Sequence, residues 1–591
     1  MTSVWLSVNK QSGVILSDNI DKGLVDTRRC WRDCNDETIL FKGDIYNIPE
    51  VARKLGGEGD FDVQQCLRWA YRKVGYEFLS WFDGSFLVAV LDPNTNRIIC
   101  GADPLGSMHL YFSEDTNHLL LDNDLLKVVN GRDIVCSLNH QAIYNYYHFN
   151  GGAIAPETFY DGINVLPVGH CIVVDGSNFE ICPTRYFSFG SSTKQTASDE
   201  ELCNDLGRLI KRSVSNCIND QGRVGFAVSG GLDSAVLAAI GSKNLLSDYD
   251  IDCFSISVDS PDYDESIIQS EIVNAIGGKH YNKKISSHDV RDNIAAILDC
   301  HCEPFTPTAI GRWFLYQLVS NAGYNNLIEG WGADQLFGGY AEHHNALVIS
   351  LFAQYRYREW WNELTGFGQS KMRSAGMSAI KGALININGN QTANLSNWIR
   401  SVFSSRGDNL LQVDGSWDSY VNSIADNADP SIHDLYFDEH MSTSLLVTSL
   451  PFSLSTNARN ACAHNIKTIF PFLSMSVARF ALALPHHLII HNGVGKIALR
   501  QAMQQELPGT LTNKVSKRGL EIPIGSWLRG DLKFVMERLL DVDTELVSTK
   551  RMHTIVSRFL AGDIPYNDRI WRMFIIVYFE YRLRGIDLVA N

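Results

Sequence analysis

A short apolar run followed by two glycines, within residues 224–237, constrains the fold of this chain more than any other feature. Residues 224–228 (Val-Gly-Phe-Ala-Val) have the composition of a buried strand. Residues 229–231 (Ser-Gly-Gly) form a turn, and Asp233 stands at the start of a helix. Because free backbone N–H groups and the positive end of a helix dipole converge at such a start, we expect a phosphate site, with Asp233 placed to hold Mg²⁺.

This loop contains no lysine, which distinguishes it from the GxxxxGK[ST] phosphate loop. It resembles instead the SGGxDS pyrophosphate loop of the N-type ATP pyrophosphatases, from Ser229 to Ser234. The resemblance implies an enzyme that cleaves ATP between its α- and β-phosphates and adenylates a substrate. The alternative is an ordinary strand–turn–helix unit in which the glycines only allow the turn.

Strand-like and helix-like segments alternate around this loop. A helix with an apolar stripe precedes it between residues 198 and 214. Strand, helix, strand and helix follow at 251–258, 266–276, 279–285 and 288–298. Such alternation predicts a doubly wound parallel sheet, in which ligands bind at the carboxyl ends of the strands.

The composition predicts a globular protein of two or more domains. The chain has 591 residues, 45% hydrophobic and 20% charged. Its net charge of −15 disfavours a nucleic-acid or anionic-membrane partner and permits a neutral or basic substrate. Thirteen cysteines without CxxC spacing favour reduced thiols over a zinc site. With no N-terminal signal and no run of eighteen apolar residues, we expect a cytoplasmic protein without a transmembrane helix.

The first part of the chain, 1–195, is rich in short strand-like runs, with helices predicted near 63–74 and 139–147. Three segments resemble, in the correct order, parts of the glutaminase domain of the asparagine synthetase family: 43–47, 83–90 and 101–112. The resemblance implies an α+β Ntn-type sandwich at 1–195. It also implies that 196–591 is an ATP-pyrophosphatase domain, a doubly wound parallel sheet with a helical extension.

One departure from this family bears on the chemistry. A working glutaminase of this class has a cysteine directly after Met1, whose free amine is the base for its own thiol. Position 2 is Thr2, the first cysteine is Cys30, and Ala102 replaces the family's arginine before Asp103. We therefore expect an inactive glutaminase domain kept as a scaffold, with a threonine nucleophile as the alternative.

A second motif at 327–340 resembles the family's G-x-G-x-D-x-x-F-G-G-Y segment and supplies Asp334. Two separated carboxylates, Asp233 and Asp334, suit Mg²⁺ on a triphosphate, because Mg²⁺ takes one or two carboxylates together with phosphate oxygens. The alternatives are a helix cap for Asp334 and a plain turn for Gly338 and Gly339.

The resemblance also assigns the lysine and the nucleotide contacts. Residues 493–503 resemble the family's K-x-x-L-R-x-A segment, which makes Lys496 the catalytic lysine that stabilises charge on the phosphorus and the departing pyrophosphate. The alternative is an i,i+4 pair of Lys496 and Arg500 on a solvated helix face. The implied ATP-binding residues are Val228, Ser229, Gly230, Gly231, Leu232, Asp233, Ser234, Ser257, Gly330 and Gly332.

Two further departures fall in the pocket for the substrate that is activated. Trp331 stands where asparagine synthetases have a glutamate and β-lactam synthetases a tyrosine, and Ile469 stands where the former have an arginine that grips aspartate. We expect Trp331 to bind substrate in an apolar, peptide-sized pocket. An aromatic-rich stretch at 350–430 is either a substrate-recognition insert or an ordinary helical subdomain.

These observations favour an ATP- and Mg²⁺-dependent, AMP-forming amide synthetase. Because the resemblance extends to family members with a disabled first domain, we favour a lasso-peptide macrolactam cyclase. Such an enzyme joins an Asp or Glu side chain to a peptide's N-terminal amine, and its partners include a leader-binding protein and a leader peptidase. The alternatives are a β-lactam synthetase-like enzyme, an ammonia-dependent asparagine synthetase and a catalytically inactive scaffold.

Overall fold

A computed structural model describes residues 6–9, 15–16, 36–57, 61–114, 118–131, 136–149, 153–177, 180–190, 194–218, 223–244, 251–366, 410–431, 436–507 and 520–589. Thr2 and Cys30 lie outside these residues. So do Phe367 and Trp398 of the aromatic-rich stretch.

Two antiparallel sheets face each other in the described part of the N-terminal region. One contains β1 (Leu6–Asn9), β2 (Ile15–Leu16), β6 (Tyr111–Glu114), β7 (His118–Asp122) and β8 (Ile163–Val165), in spatial order β2-β1-β7-β6-β8. The other contains β3 (Thr38–Ile45), β4 (Gly84–Asp92), β5 (Arg97–Ala102), β9 (His170–Asp175) and β10 (Ile181–Arg185), in spatial order β10-β9-β5-β4-β3.

Helices cover the outer faces of both sheets, which makes β4 buried on its two sides. Phe86, Val88 and Val90 pack on the helical side, whereas Leu87 and Leu91 pack on the facing sheet, as the period of two in a strand requires. The helices are α1 (Ile48–Lys54), α2 (Val63–Val74), a 3₁₀ turn at Gly75–Trp81, α3 (Leu125–Gly131) and α4 (His140–Phe149). This is the predicted α+β sandwich of the Ntn type, with α2 at its predicted position.

A five-stranded parallel sheet forms the centre of the described C-terminal region. Its strands are β11 (Val224–Ala227), β12 (Asp252–Val258), β13 (Lys279–Ile285), β14 (Asn326–Ile328) and β15 (Lys467–Ile469), in spatial order β13-β12-β11-β14-β15. The helices around it are α5 (Asp199–Ile218), α6 (Leu232–Asn244), α7 (Ser266–Ala275), α8 (Ser287–His301) and α9 (Thr308–Asn321). The doubly wound sheet is confirmed, and its strand order reverses at β11, where such sheets bind ligands.

The remaining described elements form a mostly helical extension. They are α10 (Ala333–Phe337), α11 (Ala341–Ala353), α12 (Tyr357–Gly366), α13 (Trp417–Asn427), α14 (Tyr436–Leu446), α15 (Ser449–Ala463), a 3₁₀ turn (Pro471–Leu473), α16 (Met475–Leu482), α17 (His486–Ile489), β16 (Ile490–His491), β17 (Val494–Gly495), α18 (Ile497–Ala502), α19 (Ile524–Trp527), α20 (Lys533–Arg538), α21 (Thr549–Ala561) and α22 (Asp568–Leu583). No helix in the described ranges has the length and apolarity needed to cross a membrane.

The sandwich packs directly on the C-terminal region through α4. Tyr146 donates its hydroxyl hydrogen to the Phe305 carbonyl at 2.8 Å, and Arg572 Nη1 donates to the Tyr147 carbonyl at 2.8 Å. Glu303 accepts a hydrogen bond from the Phe159 N–H at 3.0 Å. These contacts bring the end of α4 to the wall of the main cavity.

Candidate active site

Hydrogen bonds within the turn shape the loop between β11 and α6. Ser234 Oγ accepts a hydrogen bond from the Ser229 N–H at 3.1 Å and donates one to the Gly231 carbonyl at 3.2 Å. Gly230 has a φ of +74°, and a Cβ there would lie 2.8 Å from Ile268 Cγ2, so only glycine fits. The start of α6 therefore lies on the wall of a cavity of about 1560 Å³, where it can bind phosphate.

Two carboxylates and one ammonium meet beside this helix start. Lys496 Nζ lies 2.7 and 2.6 Å from the two carboxylate oxygens of Asp233 and 2.6 Å from Oδ1 of Asp334. All three side chains are nearly buried, between 7% and 11% exposed. Both aspartates and the lysine therefore face one cavity, although they come from distant parts of the sequence.

The hairpin of β16 and β17, which directly precedes Lys496, holds this lysine in place. Lys496 has a φ of +63°, and its N–H donates to the Phe337 carbonyl at 2.8 Å. The preceding turn at Asn492 and Gly493 donates both its N–H groups, each at 2.9 Å, to the buried carboxylate of Glu363 on α12. Lys496 is only 5% exposed, so the alternative of a pair on a solvated helix face is wrong.

Gly339 leaves the space that this charged cluster needs. A Cβ at this position would lie 2.6 Å from Lys496 Cε and 2.7 Å from Asp334 Cγ, and closer still to the carboxylate oxygen. Gly330 leaves space beside Asp233 in the same way, because a Cβ added at this position would lie 3.0 Å from Asp233 Cβ. The glycines of the 327–340 motif thus do more than allow a turn.

The donor set fits Mg²⁺ shared with a triphosphate. Asp233 and Asp334 offer two carboxylates on the cavity wall. Across the described ranges, no group of three or more His, Cys, Asp and Glu side chains is arranged to hold a metal by itself. Mg²⁺ is commonly held by one or two carboxylates, with phosphate oxygens and water completing its shell. The cavity therefore has suitable ligands for MgATP.

The cavity also has aromatic and apolar residues on its wall. Phe149 from α4 stacks on Tyr420 from α13, with ring centroids 4.1 Å apart, and Ile424 and Phe452 line the same cavity. Tyr420 belongs to the aromatic-rich stretch of the sequence analysis. Other aromatics of that stretch are solvent-exposed: Tyr355, Tyr357 and Trp361.

Comparison with known proteins places this site in a family. The asparagine synthase family model matches residues 205–584, more than half of the chain, and the glutamine amidotransferase domain model matches 28–187.

The chain belongs to the asparagine synthase family. It is an ATP-dependent carbon–nitrogen ligase that forms AMP.

Several relatives in this family are similar over most of their length. A putative glutamine-hydrolyzing asparagine synthetase of Mycobacterium tuberculosis is 23% identical over 560 residues, which cover 91% of this chain and 83% of the relative. Glutamine-hydrolyzing asparagine synthetase 1 of Bacillus subtilis is 23% identical over 84% of this chain and 78% of its own. A glutamine phosphoribosylpyrophosphate amidotransferase structure from B. subtilis matches 42% of this chain, which spans under half (46%) of that protein, with 10% identity and a TM-score of 0.18. No functional conclusion follows from so low a score.

A buried polar network lies beside Trp331 in this synthase family site. Trp331 lies on the cavity wall, with the Arg312 guanidinium 4.2 Å from its ring centroid. Glu329 beneath it accepts hydrogen bonds from Arg312 Nη1 at 3.0 Å, from the Tyr316 hydroxyl at 2.6 Å and from Asn457 Nδ2 at 3.0 Å. The sequence analysis gave no role to Arg312 or Glu329, although Glu329 stands inside the quoted motif.

The structure does not bring every assigned nucleotide residue to the cavity. Ser257 is 2% exposed, its hydroxyl donates to Asn282 Oδ1 at 2.8 Å, and it is not among the residues that line the cavity. Gly332, with a φ of +91°, begins α10 and packs under Leu473. Ile469 is fully buried at the end of β15. None of these three residues lines the cavity.

Histidines on the cavity wall were missed by sequence reasoning. They are His343 and His344 on α11 and His440 on α14. Burial lowers the pKa of His440 to about 4. Burial also lowers the pKa of His343 far below its usual range, helped by His440, His344 and Lys496 and opposed by Asp334. His343 and His344 follow the 327–340 motif directly, but His440 has no local signal.

Proposed function

We propose that this synthetase closes an amide bond within a peptide, as the lasso-peptide macrolactam cyclases do. An Asp or Glu side chain of the peptide is activated and joined to the peptide's own N-terminal amine. The main support is the cavity of about 1560 Å³, which joins the Lys496 cluster to the wall around Phe149 and Tyr420. Small-molecule pockets are typically about 300–1000 Å³. A peptide therefore suits the volume better than aspartate does.

Each residue of the cluster has a part in the proposed reaction. The loop at 229–234 and the start of α6 bind the departing pyrophosphate. A substrate carboxylate attacks the α-phosphorus, and Lys496 stabilises the negative charge that develops there. Asp233 and Asp334 would hold Mg²⁺, which neutralises phosphate charge when bound. An amine then attacks the acyl-adenylate, the amide forms and AMP leaves.

The acceptor pocket supports a substrate other than aspartate. Trp331 offers an apolar surface fixed by Arg312, and the guanidinium of Arg312 is engaged with Glu329. Ile469 contributes no charge that would bind an α-carboxylate. We also propose that the division falls between 1–195 and 196–591, and that the first domain is an inactive glutaminase that leaves the amine to come from the substrate.

We also propose a cytoplasmic location and a set of partners for this enzyme. The cysteines of the described residues are all free thiols, which supports a cytoplasmic enzyme. The proposed partners are a peptide precursor, a leader-binding protein and a leader peptidase, with no nucleic acid.

The test is incubation of the enzyme with MgATP and candidate precursor peptides. We expect AMP, pyrophosphate and a peptide lighter by one water, and no glutamate from added glutamine. Asp334→Asn should abolish the product, whereas the control Asp259→Asn, at an exposed aspartate paired with Lys284, should not. Formation of ADP in place of AMP would contradict the mechanism.

The second candidate is an ammonia-dependent asparagine synthetase, which the names of the similar relatives favour. It predicts pyrophosphate release that depends on aspartate and ammonium and not on a peptide. A β-lactam synthetase-like enzyme would instead release pyrophosphate with a small amino-acid-derived carboxylate that cyclises on itself.

A further inference from the structure

Amide formation on an acyl-adenylate requires a base. An N-terminal α-ammonium has a pKa of about 7.7–8.0, so most of it is protonated at neutral pH. After attack, the nitrogen carries a proton that must leave before the amide is stable. If a peptide amine is the nucleophile, as the proposed function holds, a proton acceptor is needed on the cavity wall.

Most acidic groups on this wall are poorly suited to that task. Asp233 and Asp334 are held by Lys496. Glu329 already accepts three hydrogen bonds. The other carboxylates on the wall are solvent-exposed: Glu342, Glu521 and Asp568.

Three histidines also line this wall, and one of them, His344, packs against Gly495 of the hairpin. The other two come from neighbouring helices and are in contact. The rings of His343 on α11 and His440 on α14 have centroids 5.6 Å apart at 73°. His343 Nε2 lies 3.2 Å from the hydroxyl of Ser444, one turn after His440 on α14. The ring of Tyr436, one turn before His440, stacks on it at 6.1 Å. His440 is thus fixed between an aromatic ring and His343, and it is half-buried on the cavity wall.

We propose that His440 is the general base of the amide-forming step. The carbon–nitrogen bond forms, the proton on that nitrogen passes to the His440 imidazole, and the bond from carbon to the phosphate oxygen breaks as AMP leaves. The proton then passes to solvent. His343, held by Ser444, is a positioning residue for this ring. Burial lowers the pKa of His440, so its imidazole is neutral at neutral pH and one ring nitrogen has a lone pair for this proton.

The test separates adenylation from amide formation with His440→Gln. Adenylation is followed by ATP–pyrophosphate exchange in the presence of the peptide, and ring closure by mass spectrometry. Exchange should stay at the wild-type rate, while ring closure should fall by about 10²–10⁴-fold. Hydroxylamine is mostly unprotonated at neutral pH and strongly nucleophilic, and its proton can pass directly to solvent. It should therefore intercept the adenylate as a hydroxamate equally well in the variant and the wild type.

The matched control is His464→Gln. His464 is also half-buried, with an aromatic neighbour, Trp313, at 4.3 Å, but it is not among the residues that line the cavity. It should leave both steps unchanged. His440→Asn serves as a second variant if the glutamine variant does not fold.

The outcomes separate this assignment from the proposed function. Ring closure at the wild-type rate in either folded His440 variant, or parallel loss of exchange and hydroxamate, would overturn the role of His440. Absence of peptide-dependent exchange in the unaltered enzyme would overturn the proposed function and the base with it.

Discussion

Gly339→Ala isolates the geometry of the charged cluster from the stability of the fold. The new Cβ would lie 2.6 Å from Lys496 Cε and 2.7 Å from Asp334 Cγ. Carbon atoms in contact prefer about 3.5–4.0 Å, so the lysine or the aspartate must move by about 1 Å. Displacements of this size at reacting groups cost on the order of 10²-fold in rate, or about 2.7 kcal/mol in the barrier.

The substitution should leave the protein folded. The groups that collide with the new methyl are side chains, and Gly339 is not among the residues with positive φ. Overpacking of this kind costs about 1–3 kcal/mol. We therefore expect ATP–pyrophosphate exchange to fall by about 10²-fold, while thermal unfolding shows a folded protein with a modestly lower midpoint.

The control for this substitution is Gly530→Ala. There the nearest atoms to an added Cβ are the Ser526 and Trp527 carbonyl oxygens, at 3.5 and 3.8 Å, which is ordinary contact. This variant should keep wild-type exchange. Exchange within twofold of wild type in Gly339→Ala would refute the reasoning that the Lys496–Asp334 geometry limits adenylation.

Three further predictions concern residues around the site and the domain contact. Glu363→Ala removes two hydrogen bonds to a buried carboxylate and should lower the unfolding free energy by about 3 kcal/mol and slow exchange. Glu359→Ala, at an exposed carboxylate one turn earlier on the same helix, should change stability by less than about 1 kcal/mol. Equal effects of the two substitutions in denaturant unfolding would contradict this. Ser257→Ala should lower the unfolding free energy by about 1 kcal/mol and leave the KM for ATP unchanged. A raised KM would indicate instead that Ser257 contacts the nucleotide. Burial raises the pKa of Asp83 to about 6, although the hydrogen bond from the Met475 N–H opposes this shift. Because the folded state disfavours the ionised carboxylate, the protein loses stability as pH rises from about 4 to 6. Asp83→Asn should therefore gain stability relative to wild type across that interval, with a constant difference above it, and a difference independent of pH would argue against this.

Much of the fold was predictable because its signals are local. The strand, turn and helix at 224–237 occupy one continuous segment, and a helix was predicted near 63–74, where the structure has α2. Hydrophobic periodicity is set by backbone geometry within a few residues, so it is visible without knowing what the element packs against. The alternation of strands and helices then left the doubly wound sheet as the natural arrangement.

The chemistry-bearing cluster was only partly predictable. Asp233, Asp334 and Lys496 were identified from the resemblance of separate motifs. The contact of both aspartates with the Lys496 ammonium depends on the hairpin at 490–495 and on Glu363, which holds its turn. Ser257 shows the opposite case. The resemblance implied a nucleotide contact for Ser257, and in the structure its hydroxyl donates to Asn282 Oδ1 instead.

The sequence by itself determined which segments become strands and helices, and it determined the family. Only the tertiary structure decided which side chains share a cavity, such as His440 and His343 on different helices or Phe149 of the sandwich beside Tyr420 of the extension. The physical reason is that secondary structure follows from interactions between near neighbours in the chain. A site depends on how long-range packing brings distant polar groups together, and no local pattern records that.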